Sequence, residues 1–183
     1  AVLGINPFNQ PDVQLAKDLS KKAMSESGAG GAKLKEEVAA ADATALDKMV
    51  GAWLGKKKPR DYVVVQAYIA PSQENSTRLA ALCAALQSRL GVATTLGFGP
   101  RFLHSTGQLH KGGPNSVLVL QIVDQPADNL AVPETSYTFD ALIQAQAIGD
   151  FTALKQRRRR ALRVNLGGDS AGGLERLAAA IQK

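Results

Sequence analysis

The chain has 183 residues, 45% of them hydrophobic and 21% charged, with a formal net charge of +6. That balance predicts a folded chain with one core of ordinary size and room for a short appendage, and it excludes a disordered chain. No uninterrupted apolar stretch approaches the roughly 20 residues that cross a bilayer, so no membrane partner is expected.

Taken in order, residues 1–58 read as a helical segment and 59–183 as an α/β domain. Ala1 to Ile5 is too short for periodicity to separate a strand from a helix end. Asp12 to Met24 predicts a helix with Val13, Ala16, Leu19 and Ala23 on one side. Residues 25–31 are small, polar and glycine-rich, as in a linker. Asp42 to Leu54 predicts a second helix, since Leu46, Met49, Val50 and Trp53 recur at three- and four-residue spacing.

From Asp61 the pattern changes. Tyr62 to Ile69 is β-branched and aromatic and predicts a buried strand that Pro71 closes. Ser72 can cap the next helix, which carries Leu79, Leu82, Leu86 and Leu90 and ends at Gly91. Val92 to Leu96 and Ser116 to Val123 predict two more strands, with a long loop between them. Thr138 caps a helix with Phe139, Leu142, Ile143 and Ala147 inward, and Asp150 is placed to cap another short one. Ala161 to Leu166 is a fourth strand, and Leu174, Leu177 and Ile181 mark a closing helix. The predicted class is α/β, with a mixed or parallel four-stranded sheet packed with helices. If the second and third strands are antiparallel neighbours, the alternative is a ferredoxin-like βαββαβ sandwich.

Cations cluster at Lys56-Lys57-Lys58-Pro59-Arg60 and at Arg157 to Arg160. Aromatics make up only 5% of the chain and none interleaves with the arginines, so base stacking has no platform. Arg157 to Arg160 are expected on an exposed helix face, with no nucleic-acid partner. The single cysteine, Cys83, excludes an intramolecular disulfide and fits a reducing, cytoplasmic setting.

The long loop, Gly97 to Asn115, holds both histidines. It starts at a strand's C-terminal end, where α/β folds hold ligands. Arg101, His104, Ser105, Thr106, Gln108, His110 and Lys111 combine cationic, hydroxyl, amide and imidazole groups that suit an anion or sugar phosphate. The same residues also fit an inert, hydrogen-bonded loop. A metal site is not expected, because His104 and His110 lack the spacing and companions of a zinc site. No nucleophile elbow supports a hydrolytic triad.

Phe8-Asn9-Gln10-Pro11-Asp12-Val13-Gln14-Leu15-Ala16-Lys17 places an amide and an amine seven residues apart, across a loop entering a helix. An ammonium near a helix start suits an electron-rich oxygen ligand. Phe8, Asn9, Gln10, Val13, Gln14 and Lys17 resemble the C-terminal signature of glucose-6-phosphate isomerases. Asp12 departs from it, because the pattern prefers Gly or Ala there, and its carboxylate could pair with Lys17. The rest of the chain, Leu96 to Asn115 above all, looks like the extension of bifunctional transaldolase/glucose-6-phosphate isomerase fusions.

The resemblance implies a C-terminal fragment of an enzyme that interconverts an aldose and a ketose phosphate through a cis-enediol, within central carbohydrate metabolism. It implies Lys17 as a catalytic residue at the ring-opening end, Gln10 as a substrate contact, and no cofactor. The carboxylate base and phosphate loop would lie upstream, so the 183 residues alone are expected to be inactive. Implied partners are the sugar phosphate, the rest of the parent enzyme and a second copy in a homodimer. The alternative is a non-catalytic module that binds a phosphosugar or mediates dimerisation.

Overall fold

Strands buried on both faces of a parallel sheet read as nearly continuous apolar runs, and two segments of this chain do so. In the computed structural model, which describes residues 3, 4, 6, 8–27, 34, 36–125 and 129–183, these two segments pair in parallel inside one sheet. The strands are β1 (Glu37–Ala39), β2 (Tyr62–Tyr68), β3 (Thr94–Phe98), β4 (Val117–Val123) and β5 (Arg160–Asn165). Their order is β1-β5-β4-β2-β3, and every neighbouring pair is parallel. The order reverses between β2 and β4, the switch point of a doubly wound sheet.

The helices are α1 (Pro11–Ser27), α2 (Ala43–Leu54), α3 (Gln73–Leu90), α4 (Gly107–Gly112), α5 (Phe139–Gln156) and α6 (Ser170–Gln182). Val63, Val65, Ala67, Leu118, Leu120, Ile122, Leu162 and Val164 point to one face. There they pack with Leu46, Val50 and Trp53 of α2, Leu79, Leu82 and Leu86 of α3, and Leu174 and Leu177 of α6. The alternate residues Val64, Val117 and Val119 meet Leu154 of α5 on the other face. α1 lies on α5, and Gly149 sets how closely they approach. A Cβ at Gly149 would lie 2.2 Å from Ser20 Oγ and 2.6 Å from the Ala16 carbonyl oxygen.

At Ser72, Thr138 and Gly91 the capping chemistry is as expected. Ser72 Oγ accepts the Asn75 N–H, Thr138 Oγ1 accepts the Ala141 N–H, and Gly91 takes a left-handed φ of 63° at the end of α3.

Phe139, expected inward, is exposed, and five larger features also differ from the sequence reading. The sheet has five strands, because the three-residue β1 is too short to show a period, yet it pairs with β5. The parallel pairing throughout overturns the ferredoxin-like alternative. The long loop holds a 3-10 turn, Arg101–His104, and the helix α4. Asp150 caps nothing, since α5 runs straight through it. Arg157 to Arg160 form no exposed helix face: they make the α5–β5 turn, with Arg158 at φ 55° and Arg159 buried. Residues 25–27, expected to open the glycine-rich linker, continue α1 instead, and the linker from position 28 on lies outside the described residues, as do Ala1, Val2 and Ile5.

Candidate functional site

α1 starts at Pro11, whose fixed φ and missing N–H suit a first helical turn. Lys17 therefore sits in the second turn, and its side chain is exposed. It lines a groove of about 220 Å³ between α1, α5 and the 3-10 turn after β3. Ser20, Lys21, His104 and Gln146 supply its other polar side chains, and Val13, Ala16, Leu103 and Leu142 give it apolar walls. The fold thus brings Lys17 and His104, 87 positions apart, to one concavity.

Gln10 is exposed just ahead of α1 and is not among the groove residues; its carbonyl accepts the N–H groups of Val13 and Gln14. Asp12, which could have paired with Lys17, pairs with Arg157 Nε at 2.5 Å instead. Gln108 grips the same residue from both sides. Its Oε1 accepts the Asp12 N–H at 3.0 Å and its Nε2 donates to Asp12 Oδ2 at 2.7 Å. Gln108 is thus a clamp between α4 and the start of α1, and Lys17 keeps no carboxylate partner among the described residues.

The other loop residues separate. Arg101, Ser105 and Thr106 are exposed, and Ser105 Oγ donates to the Phe102 carbonyl. His110 and Lys111, expected to meet an anion, turn inward. His110 Nδ1 is 3.1 Å from the Tyr62 hydroxyl, and its ring packs against Tyr62 and Phe102. Burial, reinforced by Lys111, pushes its pKa down to about 4, so the imidazole is neutral near pH 7. Lys111 Nζ is fully buried, 2.5 Å from Asp150 Oδ1, whose side chain is fully buried too. Burial pushes the Asp150 carboxyl up, while Lys111, Arg163 and Gln66 pull it back down. The structure therefore does not bring His104, His110 and Lys111 to one anion.

Sequence reasoning missed a polar layer inside the α5 face of the sheet. Gln66, Gln121, Arg163 and Glu37 stand in register across β2, β4, β5 and β1. Arg163 Nε donates to Glu37 Oε2 at 2.6 Å, its Nη1 to Gln121 Oε1, and Gln121 Nε2 to the Ala147 carbonyl at 3.1 Å. The signal was present: Gln66 and Gln121 are the only amides within two otherwise apolar and aromatic strands. No group of three or more metal-ligating side chains exists among the described residues.

No family model matches the sequence, and no curated protein does. Among solved structures, the crystal structure of hypothetical protein TT0462 from Thermus thermophilus is similar, with a TM-score of 0.58 at 16% identity. The match covers 95% of this chain and 44% of the other, so this chain spans less than half that protein's length. At this identity the likeness concerns the fold alone.

Proposed function

We propose that this chain is the C-terminal part of a glucose-6-phosphate isomerase, of the kind fused to a transaldolase. The observation that carries the reading is the shared groove of Lys17, the signature lysine, and His104. Opening a sugar ring needs a proton delivered to the ring oxygen and one removed from the C1 hydroxyl. An exposed ammonium and an exposed imidazole at one groove are chemically fit for those transfers. Lys17 also offers positive charge to an enediolate oxygen as it forms. Moving hydrogen between C1 and C2 needs a carboxylate base, and none lines the groove among the described residues. In this reading the base comes from another part of the parent enzyme.

That same lack of a carboxylate favours the second reading, a non-catalytic phosphosugar-binding module. A titration of the 183-residue chain with 6-phosphogluconate, followed by NMR, tests what the two readings share. The expected result is saturable shifts of the His104 ring and the Lys17 side chain that are lost in Lys17→Ala. Shifts absent from both groups would refute a sugar-phosphate site in this groove.

A further inference from the structure

A second charged surface lies at the opposite end of the sheet, where strands β2, β4 and β5 begin. Three connections meet there: 55–61 between α2 and β2, 113–116 between α4 and β4, and 157–159 between α5 and β5. They are tied to one another. Arg160 Nη1 donates to the Lys56 carbonyl at 2.9 Å, its Nη2 to the Asn115 carbonyl at 2.8 Å, and Asn115 Nδ2 to the Arg158 carbonyl at 3.2 Å. Lys56, Lys57, Lys58, Arg60 and Arg158 are exposed on these connections, and no carboxylate lies within ion-pair distance of them among the described residues. These five charges nearly equal the formal net charge of the whole chain, +6.

Two ordinary explanations fall short. Cations are favoured near helix C-termini, and α2 and α5 both end here, but each end carries only about half a negative charge. About four positive charges stay uncompensated. The one carboxylate in the basin, Asp61, is held by Arg160 at 2.5 Å and by the Lys58 N–H at 2.5 Å, so it is already neutralised. Arg60 and Arg158 also hold left-handed φ values of 64° and 55°, which non-glycine residues rarely adopt.

Between these connections lies an open basin of about 500 Å³, lined by Lys58, Arg60, Asn115 and Ser116 with Asp61 in its floor. That size is in the range of about 300–1,000 Å³ typical of small-molecule sites. We propose that this basin binds a small phosphoryl-dense anion, one with two or more adjacent phosphates. Lys58 and Arg60 line the basin, Lys56, Lys57 and Arg158 are exposed on the connections around it, and cations so grouped call for adjacent negative charges on one ligand. No aromatic ring lines the basin, so the phosphate chain and not a base is what it reads.

Calorimetric titration of the 183-residue chain with inorganic pyrophosphate and with ATP at physiological salt tests this. One saturable site is expected, with similar affinity for both ligands and about tenfold or greater weakening in Lys58→Gln/Arg60→Gln. Lys48→Gln, a substitution on α2 outside the basin, should leave binding unchanged. ATP binding much more tightly than pyrophosphate at the same site would contradict a basin that reads the phosphate chain alone. Absence of saturable binding would overturn the proposal. So would an equal loss in Lys48→Gln, or a short DNA duplex that binds tightly and is not displaced by pyrophosphate. None of these outcomes involves Lys17 or His104, so this proposal stands or falls apart from the isomerase reading.

Discussion

Lys111 and Asp150 form a fully buried ion pair, and such pairs matter most when one partner is lost. Asp150→Ala leaves an ammonium with no counter-charge in the interior and should cost about 3–5 kcal/mol in chemical denaturation. The paired replacement Lys111→Met/Asp150→Leu should recover most of that loss. His110 makes a pH prediction. Its folded pKa, about 4, lies below its ordinary 6.5, so between those values the unfolded chain binds the extra proton. Its contribution is whole above pH 6.5 and is lost as the pH falls through about 4, a total of roughly 3 kcal/mol. Denaturation at pH 7 and pH 4 should show this loss in the parent chain and a flatter profile in His110→Phe. These roles could not be read from sequence, because a lysine and a histidine in a glycine-rich stretch look the same whether they face water or an acid across the core.

At the scale of elements, the strands with apolar runs were legible because a doubly covered parallel sheet demands them, and the helix starts because Ser72 and Thr138 have the right side chains. Asp150, which follows Gly149, misled for a physical reason. A glycine followed by an acid resembles a helix break and a cap, but Gly149 is there so that α1 can touch α5. Gly149→Ala should therefore push α1 off, at a cost of about 1–3 kcal/mol. Hydrogen exchange should show α1 amides losing protection before those of β2 and β4. Uniform loss, or none, would mean that α1 does not depend on this contact. Arg157 to Arg160 misled similarly: four arginines look like a solvated face, whereas Asp12, the Lys111 carbonyl and Asp61 take three of them.

At the scale of the molecule, one parallel sheet places two unlike surfaces at its two ends. The Lys17–His104 groove lies beside the turn that follows the C-terminal end of β3. The cationic basin lies where β2 and β4 begin. The class of the fold was legible from strand–helix alternation, while the strand order was not, because β1 and the path from β3 to β4 depend on distant pairing. The Lys17 motif was legible as a motif, while the groove that Lys17 and His104 both line is set by the packing of α1 on α5. The central claim is that Lys17 serves sugar-phosphate isomerisation. Its most direct test is the turnover of fructose 6-phosphate to glucose 6-phosphate by the full-length natural protein carrying Lys17→Ala. A drop of about 100-fold or more, with the fold intact by circular dichroism, is the expected result; turnover equal to the unsubstituted protein would contradict it and leave Lys17 a surface lysine.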